Sequence, residues 1–82
     1  MITVNVKLFA VIRDLIGKEQ HVLRLEEHAS AEEAITMLIR EYPKLEDYRR
    51  SLLIAVNCEY VPGGHTLRDG DELACIPPVS GG

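Results

Sequence analysis

The first residues of the chain alternate between apolar and polar side chains. This period of two residues is typical of a β-strand with one buried face, and it predicts a first strand over residues 2–9. A less regular alternation predicts a second strand over residues 20–26, in which Leu23 and Leu25 face the core and Val22 interrupts the polar set. The apolar positions of the first strand are Ile2, Val4, Val6 and Leu8.

The clearest predicted element is a helix that begins after Ser30. Ser30 and Glu33 form an S-x-x-E capping box, and apolar residues then recur at helical spacing in one stripe. Pro43 ends this helix. A shorter helix is predicted over residues 10–16, with Gly17 as its stop. The stripe of the main helix comprises Ala31, Ala34, Ile35, Leu38, Ile39 and Tyr42.

The second half of the chain predicts short strands separated by turns. Strands are expected over residues 52–56 and 72–76, after a helical or irregular crossover at residues 46–51. The remaining segments are a tight turn at residues 57–59 leading into residues 60–61, a loop at 62–64, and a turn at 68–71 in which Gly70 takes a positive φ.

One helix across a mixed sheet is the economical arrangement of these elements, an α+β roll. The first and last strands are expected to pair in parallel at its centre. Pro77 and Pro78 end the last strand because they lack backbone N–H donors. The sequence thus predicts a domain over residues 1–76 and an extended functional tail over residues 77–82.

Composition narrows the classes of function. The chain has 82 residues and a formal net charge of −4, so nucleic acid, which attracts clustered Lys and Arg, is not expected as a ligand. No apolar run suggests a membrane span, and the first residues lack the layout of a signal peptide. A cytoplasmic location is expected.

The titratable and thiol side chains offer little chemistry. Cys58 and Cys75 are expected to be small buried apolar residues, with a disulfide or a thiol relay as alternatives. The three histidines show no metal-ligand spacing, so no metal site is expected. The acidic turn is expected to be solvated, with contact to a basic partner as the alternative. These histidines are His21, His28 and His65, and the turn contains Asp69, Asp71 and Glu72.

The tail is the leading functional candidate. Gly81-Gly82 has no side chain to block entry into a narrow channel, and its α-carboxylate becomes reactive if another enzyme converts it to an acyl-adenylate. Pro77-Pro78 favours a stiff polyproline stem, and six extended residues reach roughly 20 Å. A disordered terminus is the alternative, because two terminal glycines arise by chance in about 0.5% of chains.

A candidate interface lies at the base of the tail. If Leu73 and Cys75 face the core, Ile76 faces outward, and Phe9 is out of phase with the core positions of the first strand. Phe9, Ile76 and Val79 are therefore expected to form an exposed apolar patch, a feature that often marks an interface. Coverage by the domain's own loops is the alternative.

Four segments of the chain stand out together: Leu8-Phe9-Ala10, Arg13-Asp14-Leu15-Ile16-Gly17, Asp69-Gly70-Asp71-Glu72-Leu73-Ala74 and Pro77-Pro78-Val79-Ser80-Gly81-Gly82. These motifs resemble the small subunit of molybdopterin synthase, the MoaD family. This resemblance implies a β-grasp (ubiquitin-like) fold without a bound cofactor. It also implies that a ubiquitin-activating-type (MoeB-like) adenylyltransferase uses ATP to adenylate Gly82, which then becomes a thiocarboxylate.

The resemblance further implies that the tail enters a MoaE-like large subunit and gives its sulfur to cyclic pyranopterin monophosphate, within a heterotetramer. Gly81 and Gly82 carry over as the tail and sulfur-bearing residues, and Arg13 as a contact for the activating enzyme. Phe9 and Ile76 carry over as interface positions, although family members often have an aromatic residue where Ile76 stands. The segment Pro77-Pro78-Val79-Ser80 carries over as partner-binding.

Three other functions stay open at the level of sequence. One is a sulfur carrier for another pathway, such as thiamine thiazole synthesis. The second is a ubiquitin-like modifier that forms isopeptide bonds with lysines. The third is an interaction module with an inert tail.

Overall fold

A computed structural model describes residues 1–77 of the chain. The strands and helices alternate unevenly, with one long helix between two groups of strands. In chain order the elements are β1 (Ile2–Leu8), α1 (Ala10–Ile16), β2 (Gln20–Leu25), α2 (Ala31–Glu41), a 3-10 helix (Pro43–Ser51), β3 (Leu53–Val56), β4 (Glu59–Tyr60) and β5 (Glu72–Ile76).

The five strands form one mixed sheet in the order β2-β1-β5-β3-β4. β1 and β5 run parallel, and every other pairing is antiparallel. The predicted central parallel pairing of the first and last strands is therefore confirmed. Because parallel strands end at the same edge, the chain leaves β5 beside the end of β1, where Leu8 pairs with Cys75.

The core lies between one face of the sheet and α2. Val4 and Val6 of β1, Leu38 of α2 and Leu73 of β5 are fully buried. The predicted helix stripe is confirmed, since its five residues from Ala31 to Ile39 are buried and Tyr42 packs against the same cluster. The expected α+β roll, with its β-grasp arrangement of one helix across a mixed sheet, is the fold of the chain.

The N-terminus of α2 is capped from two sides. The Glu33 backbone N–H donates to Ser30 Oγ at 3.1 Å, which confirms the predicted cap. The loop over residues 62–65 supplies two further acceptors: Ala31 N–H donates to the His65 carbonyl at 2.8 Å and Glu32 N–H to the Gly63 carbonyl at 2.9 Å. These contacts satisfy backbone donors that the first helical turn leaves unpaired, and they hold the loop against α2.

Several element boundaries differ from the predicted ones by a few residues. β1 ends at Leu8 rather than at Phe9, because Ala10 takes a φ of 49° and turns the chain into α1. β2 ends at Leu25, and β3 begins at Leu53. The crossover is a 3-10 helix that begins at Pro43, three residues earlier than expected, since proline is well accommodated in a first helical turn.

Candidate functional site

The end of β5 is surrounded by exposed apolar side chains on the face of the sheet opposite α2. Ile76 is half-buried and lies directly opposite Leu53, which is 49% exposed. Tyr60 of β4 lies opposite Ala55, two residues along β3 from Leu53, and is 70% exposed. Residues opposite each other, or two apart on one strand, share a face of the sheet, so the three side chains form one surface.

Phe9 extends this surface on the β1 side. Lys7 pairs with Ala74, and the backbone of Phe9 stays extended, so Phe9 falls next to Ile76 in the register. Its side chain is 43% exposed. We call Phe9, Leu53, Tyr60 and Ile76 the tail-base patch.

The patch contains both of the predicted apolar positions that the structure describes. Phe9 and Ile76 have the expected outward orientation, whereas Val79 lies outside the described residues, as do Pro78, Ser80, Gly81 and Gly82. Sequence reasoning missed Leu53 and Tyr60. The run from Leu52 to Val56 is apolar throughout, so no alternation shows which residues face the core, and only the pairing with β5 does so.

Charged residues border the patch along β1 and α1. Lys7 Nζ lies 3.4 Å from Glu72 Oε2, and Arg13 Nε lies 3.8 Å from Asp14 Oδ1. Phe9, Lys7 and Arg13 line one shallow cleft of about 240 Å³. The structure thus brings Arg13 next to Phe9, at the margin of the surface from which the tail leaves.

The two cysteines lie in different environments. Cys75 is fully buried, and burial raises the pKa of its thiol from 9.0 to about 12, so it stays protonated at neutral pH. The expectation that Cys58 is buried is wrong, because Asn57 and Cys58 take positive φ angles and form the tip of an exposed hairpin turn. Asn57 bonds Asp71, four residues before Cys75, so the cysteines are separated by roughly 13 Å along β5, too far for a disulfide.

The acidic turn before β5 has a structural role. Asp71 accepts hydrogen bonds from Asn57 Nδ2 at 3.0 Å and from Arg68 N–H at 2.8 Å. Asp69 Oδ1 accepts from Thr3 N–H at 2.7 Å. Asp69 is exposed and Asp71 only partly buried, so the expectation of a solvated turn is confirmed; these carboxylates also hold the start of β1 and the β3–β4 turn against the segment before β5.

Among residues 1–77, no cluster of three His, Cys, Asp or Glu side chains has the geometry of a metal site. His21 Nε2 lies 2.5 Å from Glu41 Oε2 and its ring meets Tyr42 edge-on at 5.4 Å, so its buried nitrogen contacts a carboxylate rather than remaining unpaired. No helix in this part of the chain is long and apolar enough to cross a membrane.

A wider cleft, of about 890 Å³, lies at the other end of the sheet, between Ile2 and the loop that holds His65 and Arg68. Two of the carboxylates that line this cleft, those of Asp69 and Asp71, accept the hydrogen bonds described above. The tail-base patch, and not this cleft, is the surface next to the functional tail that the sequence predicts.

Known proteins resemble the chain along its whole length. The model of the ThiS family matches residues 6–82. A curated relative from Arabidopsis thaliana, the molybdopterin synthase sulfur carrier subunit, is 33% identical over 81 residues, which cover 99% of this chain and 84% of the relative.

Solved structures give the same result for the fold. A putative molybdopterin converting factor subunit 1 from Pyrococcus furiosus superposes with a TM-score of 0.87 at 31% identity, over 96% of this chain and all of that one (100%). The small archaeal modifier protein 1 from H. volcanii superposes with a TM-score of 0.88 at 26% identity, over 96% of this chain and 100% of that chain. A complex of subunits 1 and 2 of molybdopterin-converting factor from Helicobacter pylori contains a chain with the same fold. It superposes with a TM-score of 0.71 at 23% identity, over 99% of this chain and 100% of that chain.

The family match covers nearly the whole chain, and the relatives agree with it in length and fold. The mixed sheet with one helix across it, and the patch where β5 ends, are consistent with that match. The chain belongs to the ThiS family of ubiquitin-like β-grasp proteins, in which its curated relatives are molybdopterin synthase sulfur carrier subunits.

Proposed function

We propose that this chain is the sulfur carrier subunit of a molybdopterin synthase and that Gly82 carries the sulfur. The observation that supports this most strongly is the position of the tail-base patch. An exposed apolar surface surrounds the end of β5, and Gly81-Gly82 follow only a few residues later. A partner that binds the patch thereby receives the C-terminal glycines.

The proposed chemistry takes place at the α-carboxylate of Gly82. A carboxylate oxygen attacks the α-phosphorus of ATP in the activating enzyme, and pyrophosphate leaves. If the sulfur donor is sulfide, it displaces AMP from the acyl-adenylate and forms the thiocarboxylate directly. If the donor is a persulfide, it displaces AMP and forms an acyl disulfide, and a thiol then reduces the S–S bond to release the thiocarboxylate. The side chains of residues 1–77 need not react, and the raised pKa of Cys75 agrees with such a passive role.

The final acceptor is proposed to be cyclic pyranopterin monophosphate in a MoaE-like large subunit. In each transfer the thiocarboxylate sulfur displaces an oxygen leaving group from a side-chain carbon of the pterin, and water then cleaves the acyl–sulfur bond. The sulfur stays on the pterin and the carboxylate of Gly82 is restored, so two loaded carriers build one dithiolene. Two small subunits on a central dimer of large subunits, a heterotetramer, would supply both sulfurs. The carrier needs no catalytic pocket because this reaction takes place in the partner.

The tail-base patch is proposed as the surface that docks on the large subunit. Ile76 lies between Phe9 and Leu53 in this patch, and Pro77 follows it in the chain. Pro78, Val79 and Ser80 are proposed to line the partner's channel. Arg13, at the margin of the patch, is proposed to contact the MoeB-like activating enzyme, which uses ATP as its co-substrate.

Extension of the chain by one residue after Gly82 tests this function. The extended protein should fold normally but accept no sulfur, because its terminal carboxylate is displaced from the activating enzyme's site. Thermal unfolding and sulfur loading, measured side by side, separate the two effects. Normal sulfur transfer by the extended and unprocessed protein would refute the proposal.

A second candidate is a protein modifier that becomes linked to lysine side chains. The likeness to the H. volcanii modifier protein, with a TM-score of 0.88, supports it. Both functions begin with the same acyl-adenylate and differ only in whether sulfur or a lysine amine attacks it. Blotting for high-mass conjugates in cells distinguishes them, since the carrier yields none.

A further inference from the structure

A second apolar surface begins at the tail-base patch and continues around the β4 edge of the sheet. Its first section, of about 310 Å³, is lined by Leu52, Leu53, Ile54, Tyr60, Val61 and Gly63. Its second section, of about 270 Å³, shares three of these residues and reaches Ile35, Glu32 and Arg49. We call the two sections together the side groove.

The residue at the far end of the side groove is a half-buried arginine. Arg49 donates a hydrogen bond from Nη2 to Thr36 Oγ1, which fixes the direction of the guanidinium. None of the ion pairs among residues 1–77 includes Arg49. Glu32 borders the same section, but its side chain lies against Gly63 instead of pairing with Arg49. A fixed guanidinium without a carboxylate partner is suited to a charge-assisted bond with an incoming anion.

The tail-base patch is small for a stable interface. A stable complex buries about 800 Å² on each partner, and a fully covered aromatic side chain contributes only about 150–250 Å². The patch offers four side chains, and none is fully exposed. A partner that holds the tail must therefore contact more of the domain, and the side groove is the apolar surface that continues from Leu53 and Tyr60.

We propose that the side groove binds an extended segment of the large subunit that carries an apolar side chain followed by a carboxylate. The apolar side chain occupies the section between Leu52 and Val61, and the carboxylate pairs with Arg49. This inference rests on the proposed function, because the segment belongs to the same large subunit that is proposed to receive the tail. Pro62 follows Val61 and removes a backbone donor at this edge, so the segment binds mainly through side chains rather than as an added strand.

Charge reversal at Arg49 tests the proposal, with the adjacent Arg50 as a matched control. Arg50 is exposed and does not line the groove. Arg49→Glu should weaken binding of the purified large subunit by about thirtyfold or more, as expected for an interfacial hot spot. Arg50→Glu should change the affinity by less than about fivefold, as expected for an exposed charge. Affinity is measured by calorimetry, and folding of each variant by thermal unfolding.

Two milder variants keep the test decisive if Arg49→Glu does not fold. Arg49→Gln retains a donor for Thr36 but loses the charge, and it should also weaken binding. Glu32→Gln removes a negative charge from the groove that would repel an incoming carboxylate, so it should bind the large subunit as tightly as the unchanged chain or more tightly. Weaker binding by Glu32→Gln would show that the groove does not receive an anion beside Arg49, and it would overturn the groove proposal.

Sulfur loading at Gly82 separates this inference from the proposed function. All four variants should load normally with the activating enzyme, because the groove is assigned to the large subunit. If Arg49→Glu binds the large subunit normally while the unchanged chain loads and transfers sulfur, only the groove assignment is wrong. If Arg49→Glu loses loading but keeps its affinity for the large subunit, the groove belongs to the activating enzyme. If the unchanged chain does not bind the large subunit, the proposed function fails, and the groove assignment fails with it.

Discussion

Leu53 and Ile76 lie directly opposite each other where β3 and β5 pair, and both point away from the core. This pairing places an exposed leucine beside the last residue before the proline stem. The backbone pairing of two strands thus fixes the proposed docking surface to the residue that precedes Pro77. A substitution that alters this surface but leaves the strand pairing intact should therefore weaken binding of the partner without unfolding the domain.

Leu53→Glu should weaken binding of the large subunit by about thirtyfold or more, because it places a charge in the apolar part of the interface. Its free energy of unfolding should change by only about 0.5 kcal/mol, since the side chain is half exposed. Calorimetric titration and urea denaturation measure the two effects. Val22→Glu is the matched control: Val22 is 58% exposed on the same face but on the distant edge strand β2, and its replacement should leave the affinity unchanged. Equal losses in both variants would argue against a localised docking surface.

The cysteines should differ in reactivity and in their effect on stability. At pH 8 a thiol reagent should modify the exposed Cys58 in the folded protein and reach Cys75 only after unfolding. The pKa of Cys75 is raised in the folded state, so its contribution to stability is complete below pH 9.0 and is lost as the pH rises toward about 12. Over that interval the free energy of unfolding should fall by up to about 1.4 kcal/mol per pH unit from this group.

Cys75→Ala removes the group responsible and provides the comparison for that pH dependence. The variant should lose stability at pH 7, because it leaves a small cavity in the core. Between pH 9 and 12, however, its stability should fall less steeply than that of the unchanged chain. Parallel pH profiles for the two proteins, measured by urea denaturation, would show that Cys75 does not titrate as inferred.

Asp71→Ala should lower the free energy of unfolding by about 2 kcal/mol, because it removes an ionised acceptor of two hydrogen bonds. The partners Asn57 and Arg68 connect the β3–β4 turn to the segment before β5, so the loss should also loosen that turn. Urea denaturation gives the first effect and hydrogen exchange of the turn amides the second. Asp47→Ala, at an exposed position of the 3-10 helix, should change stability by less than about 0.5 kcal/mol. Equal stability of the two variants would show that the hydrogen bonds of Asp71 contribute nothing to the free energy of unfolding.

Cys58→Gly should stabilise the domain by roughly 0.5–1 kcal/mol. Asn57 and Cys58 have φ angles of 50° and 72°, the left-handed region that two-residue hairpin turns require. Glycine adopts this region without the steric cost that other residues carry, and this gain exceeds the extra chain entropy that glycine loses on folding. Cys58→Ala retains the strain and should leave the melting temperature nearly unchanged. A lower melting temperature for Cys58→Gly would contradict the inference.

Those parts of the fold that depend on short-range patterns could be predicted from the sequence. The capping box at Ser30 and the alternation of β1 are local signals, and both elements have the predicted character. The side of the sheet on which a residue lies is harder to predict where a strand is apolar throughout. Leu53 was missed for this reason, because its exposure depends on the pairing with β5, which is distant in sequence. Tyr60 was missed because β4 has only two residues and shows no alternation.

Two of the single-residue differences from the predictions, at Phe9 and Cys58, have backbone causes. Phe9 falls outside β1 because Ala10 turns the chain, and Cys58 is exposed because it lies at the tip of a hairpin turn. Ala and Cys rarely take a positive φ, so neither residue favours the conformation that it adopts here. The sequence predicted the helix from residue 10 and the turn at residues 57–59, but Ala and Cys give no sign of a positive φ. The end of β1 before Phe9 and the exposure of Cys58 were therefore not predicted.

Intact-mass spectrometry of the chain after incubation with ATP, a matching activating enzyme and a sulfur source tests sulfur carriage at Gly82 most directly. We expect a mass shift equal to the replacement of one oxygen by sulfur, and fragmentation should place it on Gly82. Omission of ATP should abolish the shift. An unshifted mass, with an activating enzyme that loads a control carrier in the same experiment, would contradict the assignment of this chain as a sulfur carrier.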